Sequence, residues 1–176
     1  MQAFMNSKID QIIRVNHAGE QGAVNIYKTQ NKIAKNQQTK QHLSKSLAEE
    51  TTHLSYFEQQ IIARKIRPTA LSPIWHLGAC LIGGISAIMG DKAIMVATEA
   101  VEEVITAHYK EQIDDLKQNY PQETELLTTI EQFCQQEQNH KDEAIQMGSK
   151  DMLGYSVFYA IVKNLTKFAV NTAKKI

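Results

Sequence analysis

The sequence predicts an all-α protein, in which four long helices form a bundle and two extra apolar helices accompany it. Three observations support this fold class. Only three prolines and eight glycines interrupt the 176 residues, the stretches between them are rich in helix-forming residues such as Gln, Lys, Glu, Ala and Leu, and strand-like alternation is almost absent. A chain of this length can bury one core of ordinary size, so we expect a single domain over residues 1–176.

The breakers in the sequence divide the chain into six helical segments. The second segment should end before Pro68, because the residue before a proline avoids helical geometry. Pro73 and Pro121 can each open a helix, since the first helical turn tolerates proline. Gly90 precedes the fourth segment, and Gly154 precedes the last. We expect helices at about residues 7–35, 39–65, 73–90, 92–119 and 121–146, and a final one from just after Gly154 to near the C-terminus.

The third and sixth segments are unusually apolar. Residues 74–89 carry no charge and would form a helix of roughly 24 Å, which is short of the roughly 30 Å hydrocarbon layer of a bilayer. An interfacial or re-entrant helix therefore fits better than a membrane span, and a buried core helix is the alternative. The sixth segment combines apolar residues with Lys167, Lys174 and Lys175, so it could lie beside the third on an anionic membrane surface or simply cover the bundle.

Composition excludes several classes of partner and site. Lys+Arg and Asp+Glu both number 19, so no net basic field favours nucleic acid. Cys80 and Cys134 stand apart without a Cys-x-x-Cys motif, which argues against a disulfide framework and a structural zinc site. Residues 1–10 lack the apolar run of a signal peptide and the arginines of a transit peptide. We therefore expect free thiols in a chain that starts in the cytosol.

Two halves of the chain repeat one pattern of ionisable residues. In each half a glutamate is followed, 30 or 35 residues later, by a Glu-x-x-His motif. An i, i+3 pair lies on one face of a helix, so each motif can direct an oxygen and a nitrogen into the same space. Four-helix bundles use this set of side chains to hold two iron or manganese ions. The candidate metal ligands are Glu20, Glu50, His53, Glu102, Glu137 and His140.

The chemistry of these six side chains favours iron. Carboxylate oxygens and imidazole nitrogens suit iron, and carboxylate bridges can join two ions while positions stay open for dioxygen. Four carboxylates neutralise two divalent ions, whereas four buried carboxylates without metal would each carry a severe desolvation cost. The repeat also extends beyond the ligands, as a duplicated helical pair would: Tyr27, Lys28 and Gln30 follow Glu20 at the offsets at which Tyr109, Lys110 and Gln112 follow Glu102.

Other polar residues near the motifs have weaker assignments. Metal-bound histidines usually donate their second ring nitrogen to a carboxylate or carbonyl, and Asp142 and Glu99 are the candidates for this role. Only one residue of each adjacent glutamate pair can face inward, so we expect Glu49 and Glu103 on other faces. The histidines without ligand-like spacing, expected to be structural or on the surface, are His17, His42 and His76.

His108 and Tyr109 follow Glu102 by six and seven residues, about two helical turns along the same side. We therefore expect them to line the access to the metals. A packed core tyrosine with a satisfied hydroxyl is an equally good interpretation of Tyr109.

Four stretches of the chain carry a resemblance to a known family. They are Arg14-Val15-Asn16-His17-Ala18-Gly19-Glu20, Glu50-x-x-His53-Leu54, Ala100-Val101-Glu102-Glu103 with His108-Tyr109, and Glu137-x-x-His140. With them the chain resembles the demethoxyubiquinone hydroxylase family of ubiquinone biosynthesis over essentially its whole length. The six ligand positions have the family's residue types, and the chain departs from the family at Asn16, where Asp is more frequent.

The resemblance implies a ferritin-like di-iron monooxygenase on the surface of the membrane that holds its polyprenyl quinone substrate. It implies that the six candidate ligands bind iron, that His108 and Tyr109 lie at the quinone end of the site, and that residues 74–89 face the membrane. The implied reaction hydroxylates the quinone ring with dioxygen and with electrons that come ultimately from NADH. The implied location is the cytoplasmic face of a bacterial-type cell membrane, and the implied protein partners are other ubiquinone-biosynthesis proteins or a second copy of the chain.

The source of electrons is not specified by a motif. A Gly-x-Gly-x-x-Gly fingerprint is absent from the sequence, so binding of a nicotinamide in a nucleotide fold is not supported. A surface encounter with the nicotinamide and a partner reductase are both open.

Three other functions share part of this pattern. A soluble ferritin-like ferroxidase or iron-storage protein has the same bundle and ligands but does not need the apolar third segment. A rubrerythrin-type peroxidase usually carries an additional iron site made of cysteine thiolates, which two isolated cysteines cannot build. A structural helical membrane adaptor would explain the apolar segments and leave the repeated ligands without a purpose.

Overall fold

The computed structural model describes the backbone of residues 2–174 and the side chains of residues 8–174, and within that range the regular structure is helical throughout. The fold class is therefore all-α, as the sequence predicts. The helices are α1 (Gln2–Ile33), α2 (Gln37–Arg64), α3 (Ser72–Met89), α4 (Asp91–Asn119), α5 (Thr124–Gln146) and α6 (Tyr155–Ala173), with a short 3₁₀ turn at Ser149–Asp151.

Local chemistry explains where α2 begins and ends. The side chain of Asn36 accepts hydrogen bonds from the backbone N–H groups of Gln38 (2.8 Å) and Thr39 (3.2 Å), a cap that typically contributes about 1 kcal/mol. At the other end Lys65 adopts a left-handed conformation with φ of 55°, and the N–H of Ile66 donates to the carbonyl of Ile61. The chain then leaves the helix before Pro68, as predicted.

The predicted starts of α1 and α5 were wrong. The first helix begins at Gln2 rather than near residue 7. Pro121 does not open α5 but lies in a turn, in which the N–H of Glu123 donates to the carbonyl of Tyr120 at 3.0 Å. Proline fits the second position of such a turn as well as it fits the first turn of a helix, because both need the same φ. The chain must reverse direction after α4, so the turn forms there and α5 begins at Thr124.

Two helical hairpins form the bundle, and the apolar helices cover one side of it. Helix α1 packs against α2, and α4 packs against α5. Both α3 and α6 pack against α1 and α4, and the rings of Trp75 and Phe168 bring α3 and α6 together edge to face with centroids 6.3 Å apart. The α1–α4 side of the bundle is therefore enclosed by the two apolar helices.

Small residues allow α3 to lie close to α1. A Cβ atom added to Gly83 would be 2.7 Å from the carbonyl oxygen of Ile26, which is closer than real Cβ atoms approach. One turn further along, the buried side chain of Gln30 donates a hydrogen bond to Ser86 at 3.0 Å. Helix α3 thus turns its small and polar residues inward and leaves its large residues outside.

The outward residues of α3 and α6 form an exposed apolar surface. Helix α3 has a mean hydropathy of 1.4 over 18 residues, which by length and composition alone would suffice to cross a membrane, and only 22% of it is buried. A core helix would be mostly buried, so that interpretation does not fit α3. Nine large apolar side chains, each at least 51% exposed, make up what we call the apolar face: Ile74, Leu77, Leu81, Ile85, Ile88, Val157, Ile161, Leu165 and Phe168.

Candidate metal centre

Helices α1, α2, α4 and α5 bring six ionisable side chains together in the middle of the bundle. The i, i+3 spacing of each Glu-x-x-His motif places its glutamate and histidine on the inner face of one helix. Each of the six is at most 2% exposed, although side chains of these types are rarely buried so completely. They are Glu20 of α1, Glu50 and His53 of α2, Glu102 of α4, and Glu137 and His140 of α5.

The six side chains form two overlapping groups, each able to surround one metal ion. The first consists of Glu20, Glu50, His53 and Glu137, and the second of Glu50, Glu102, Glu137 and His140. Within each group the potential ligand atoms all lie within 4.8 Å of one another. Glu50 and Glu137 belong to both groups, so they occupy the positions from which carboxylates could bridge two ions.

Each histidine turns one ring nitrogen inward and the other outward. The Nδ1 atom of His53 is 3.0 Å from Glu137, and the Nδ1 atom of His140 is 3.1 Å from Glu50. The outward Nε2 atom of His53 is 2.8 Å from the side-chain oxygen of Gln136, and that of His140 is 2.6 Å from Glu49. A hydrogen on each Nε2 donates to these partners, which leaves both Nδ1 atoms free to bind metal.

The residues predicted to support the histidines were therefore the wrong ones. Asp142 accepts a hydrogen bond from Gln138, and Glu99 accepts hydrogen bonds from Ser149 and Tyr155 near the start of α6. Sequence reasoning missed Glu49 and Gln136, although both immediately precede the glutamate of a Glu-x-x-His motif. That shared position was the signal that could have identified them.

Glu49 and Glu103 do not belong to either group of four, although Glu49 reaches the outward nitrogen of His140. Glu103 is 2.5 Å from Lys163 of α6. Among the remaining histidines, His17 is buried in α1, His42 is 3.1 Å from Glu143, and His76 is exposed on α3.

Two tyrosines connect the hairpins through the terminal glutamates. The hydroxyl of Tyr27 on α1 donates to Glu102 on α4 at 2.6 Å. The hydroxyl of Tyr109 on α4 donates to Glu20 on α1. Each tyrosine lies seven residues after the glutamate of its own helix, so the sequence repeat appears in space as an exchange of equivalent contacts.

The centre has polar atoms that need a cation. Seven buried atoms of five of these side chains make no hydrogen bond: both oxygens of Glu50 and of Glu137, one oxygen of Glu102, and Nδ1 of His53 and of His140. Buried polar groups are nearly always paired, so a cluster of this kind is unusual. Four carboxylates and two neutral imidazoles match two divalent cations in charge and in ligand type. This buried Glu/His cluster therefore fits a di-iron site.

The pKa shifts of these glutamates and histidines also indicate that the centre favours bound positive charge. Burial raises the pKa of Glu20 to about 8 and that of Glu102 well above its ordinary value. Burial alone would lower the pKa of His140, but Glu137 and Glu50 beside it raise that pKa to about 12. Protons would take the place of cations in the metal-free protein, so metal binding must release them.

His108 and Tyr109 lie on different sides of α4. Tyr109 is buried beside Glu20. His108 lines a small cavity of about 100 Å³ that also contacts Lys8, Glu111 and Lys174, and its Nε2 atom is 2.8 Å from Gln112. Neither residue lines the apolar cavity described next. Their assignment to the quinone end of the site stays a prediction.

An apolar cavity of about 440 Å³ lies between α1, α3, α4 and α6. The residues that line it carry no charge, and five of them, Ile74, Leu81, Ile85, Leu165 and Phe168, belong to the apolar face. The cavity therefore opens between α3 and α6 on that face. Its inner wall contains Gly19 and Ala23 of α1 and Val101 and Ile105 of α4.

Comparisons with known proteins identify relatives over nearly the whole chain. The 3-demethoxyubiquinol 3-hydroxylase of Rhodospirillum rubrum is 34% identical over 172 residues, which cover 96% of this chain and 78% of that protein. The mitochondrial NADPH-dependent 3-demethoxyubiquinone 3-hydroxylase of Dictyostelium discoideum is 37% identical over 162 residues, or 92% of this chain and 75% of the relative. The Caenorhabditis elegans protein of the same name is 32% identical over 175 residues, or 99% and 94% of the two chains.

A family model agrees with these relatives. The model described as "Ubiquinone biosynthesis protein COQ7" matches residues 7–173, a range that contains all six side chains of the metal centre. The chain therefore belongs to the ubiquinone biosynthesis protein COQ7 family.

Proposed function

We propose that this protein is a di-iron monooxygenase that hydroxylates the ring of demethoxyubiquinone or demethoxyubiquinol in ubiquinone biosynthesis. Family membership and the activities named for its relatives support this function. The observation that carries the proposal is the apolar cavity, because it connects the exposed apolar face with the two helices that hold Glu20 and Glu102.

The position of the cavity beside the centre follows from residue offsets. Gly19 and Ala23 stand one residue before and three residues after Glu20, and Val101 and Ile105 stand at the same offsets from Glu102. Residues at these offsets lie on adjoining faces of a helix. A ring held against the inner wall would therefore lie against the helix faces that adjoin those of Glu20 and Glu102.

The centre would be held by the six side chains already described. Glu20 with His53 and Glu102 with His140 would each bind one ion, and Glu50 and Glu137 would bridge the two. Two iron ions bound there supply the reduction of dioxygen and the transfer of one oxygen atom. In the overall reaction, one oxygen atom of dioxygen converts a ring C–H bond to C–OH and the other leaves as water. A reductant provides two electrons and two protons.

Other residues of the chain orient the ligands and keep water away. Tyr27 and Tyr109 each donate to a terminal glutamate, so they fix the direction in which its other oxygen points. The aliphatic cavity wall excludes water from the ring, which protects reactive states from side reactions. The site thus combines a charged centre with a dry substrate space.

The apolar face offers a route for a substrate with a long polyprenyl tail. We propose that this face rests on the cytoplasmic surface of a bacterial-type cell membrane, so that the ring enters between α3 and α6 while the tail stays in lipid. The exposed Lys167 on α6 would favour anionic headgroups. Peripheral binding suits the structure better than a span, because the inner side of α3 packs against α1 and α4.

We propose a reduced nicotinamide as the ultimate source of electrons, either NADH or the NADPH in the names of the mitochondrial relatives. Dioxygen would be the second co-substrate. Both assignments rest on the reaction balance and on the relatives' names.

The test is an assay of iron-loaded protein with demethoxyubiquinone in lipid vesicles, NADH or NADPH, and dioxygen. We expect the hydroxylated quinone as product, identified by mass spectrometry, with one oxygen atom from ¹⁸O₂. A ferroxidase would instead consume dioxygen with added ferrous iron at a rate that the quinone does not change. That result, without hydroxylated product, would refute the proposed function.

A further inference from the structure

The two metal positions have different surroundings. We infer that Glu49 makes them inequivalent, by strengthening the His140 ligand so that the position bound by Glu102 and His140 holds its metal more tightly than the position bound by Glu20 and His53. This inference rests on the proposed di-iron centre and identifies Glu49 as a positioning residue.

Most of the centre obeys an approximate two-fold symmetry. Each position has one terminal glutamate, one Glu-x-x-His histidine and a share of the two bridging glutamates. Each terminal glutamate accepts a hydrogen bond from a tyrosine of the opposite hairpin. These contacts treat the two positions alike, so they cannot distinguish them.

The symmetry fails at the residue that precedes each Glu-x-x-His glutamate. On α2 this residue is Glu49, and its carboxylate lies 2.6 Å from Nε2 of His140. On α5 it is Gln136, and its amide oxygen lies 2.8 Å from Nε2 of His53. The two side chains have nearly the same size and reach the same atom of equivalent histidines, so their main difference is charge.

That difference changes the imidazole as a ligand. A carboxylate accepts a stronger hydrogen bond from an imidazole N–H than a neutral amide does. The stronger bond moves electron density toward Nδ1 of His140, which makes this nitrogen a better donor to a cation. Gln136 provides orientation to His53 without this added charge.

The two histidines also differ in their aromatic neighbours. The ring of His53 lies against Phe133 with centroids 3.9 Å apart, whereas His140 and Tyr27 meet edge to face with centroids 6.2 Å apart. Glu49 is also 31% exposed, so its charge remains solvated while its oxygen reaches the histidine. His53 is thus in contact with a hydrocarbon ring, whereas His140 has a partly solvated acidic partner.

The test compares metal binding in two conservative variants and their combination. Wild-type protein is titrated anaerobically with Fe(II) and followed by calorimetry, and samples loaded with ⁵⁷Fe are examined by Mössbauer spectroscopy. We expect two binding steps in the wild type and two distinct ferrous signals. His140→Ala should remove the tighter step, and His53→Ala should remove the weaker one.

Glu49→Gln should weaken the tighter step by about 10- to 100-fold, the usual effect of losing an outer partner of a metal ligand. Gln136→Glu should tighten the weaker step, and the exchange variant Glu49→Gln/Gln136→Glu should restore two separated steps with the order of the positions reversed. The Mössbauer signals should become more alike in Glu49→Gln and separate again in the exchange variant.

Several results would overturn the inference. It fails if wild-type protein binds both ions in one step with one ferrous signal, if Glu49→Gln leaves both steps unchanged, or if that variant weakens both equally, as a merely structural role would. Hydroxylation is measured separately. Two unequal iron sites without hydroxylated product would refute the proposed function and leave the inequivalence intact.

Discussion

The metal centre and the apolar face are opposite departures from the usual distribution of residues. At the centre, six ionisable side chains are at most 2% exposed, whereas at the face nine large apolar side chains are at least 51% exposed. Buried charges and contiguous exposed apolar residues are the informative exceptions in a folded protein. Each region is suited to a partner outside the polypeptide, which we propose to be a pair of cations in one case and a lipid surface in the other.

Burying a charged side chain and exposing an apolar one differ in their free-energy cost. Removing an ion from water costs several kcal/mol even after the protein relaxes, whereas leaving a large apolar side chain exposed forgoes only about 1.5–3 kcal/mol. The centre is therefore the more demanding region per residue. Substitutions there should have the largest effects, and those at the face should act on membrane binding alone.

The strongest test of this comparison replaces a bridging glutamate. Glu137→Ala removes an oxygen donor from both metal positions, so iron content should fall from two ions to at most one, and hydroxylation should fall by more than the 10- to 100-fold typical of an outer partner. Iron analysis and the product assay measure both effects, and circular dichroism should show that the helices persist. Glu131→Ala, on the surface of the same helix, should keep both ions; two ions in Glu137→Ala would contradict the assignment.

The next test concerns the apolar face. Leu77→Asp combined with Ile161→Asp should lower binding to anionic vesicles by roughly 100-fold, because each change loses the partial burial of a large side chain in lipid. Iron content should not change. The control is Ile62→Asp on α2, where the native side chain is 76% exposed outside the apolar face. Equal vesicle binding by the double variant and the control would show that the face does not contact lipid.

A third test fills the cavity that connects the two regions. A Cβ added to Gly22 meets no atom within 4 Å, so Gly22→Leu should place its side chain in the open cavity. We expect KM for the quinone to rise by about 10-fold, corresponding to about 1.4 kcal/mol of lost binding, while iron content and vesicle binding stay unchanged. Gly22→Ala adds a single methyl group and should have a small effect. An unaltered KM in Gly22→Leu would place the substrate elsewhere.

The last test concerns stability, rather than metal, lipid or substrate binding, and it uses a base outside both regions. Burial, together with the positive charge of Lys174, lowers the pKa of His108 to about 4, from 6.5 in the unfolded chain. Between these values the unfolded state binds more protons, so the free energy of unfolding falls as pH decreases from 6.5 toward 4, by at most about 1.4 kcal/mol per pH unit from this group.

His108→Gln should flatten that part of the stability curve, measured by urea unfolding at several pH values. The control variant is His76→Gln, at an exposed histidine on α3, measured in the same way. A slope in His108→Gln equal to that of the wild type would show that the imidazole does not take up a proton on unfolding.

The parts of the fold that local chemistry determines could be predicted from the sequence. Helix-forming residues and breakers such as Gly90 and Pro68 placed most helix ends within a few residues. The failure at Pro121 is instructive, because a proline satisfies a turn and a helix start equally well and only the return of the chain from α4 to α5 decides between them.

At the candidate site, periodicity predicted which side chains share a helix face, but it could not predict which residues meet between helices. Glu49 and His140 are 91 residues apart, and their contact depends on how α2 and α5 are rotated about their axes. The sequence instead suggested Asp142 and Glu99 as partners of the histidines. The apolar face raised a similar difficulty, since an uncharged segment has the same composition in a core and on a surface.

The exchanged tyrosine contacts show how the two metal positions of such a centre can become different from each other. Tyr27 reaches the opposite hairpin just as Tyr109 reaches back, which is the contact pattern of an isologous dimer contained within one polypeptide. In a true dimer of identical hairpins every substitution would appear twice, and both ions would always sense the same neighbour. Here the two hairpins are parts of one chain, so a substitution in one is not repeated in the other. Glu49 and Gln136 can therefore differ, and one hairpin can change its function while the other keeps the structure of the bundle.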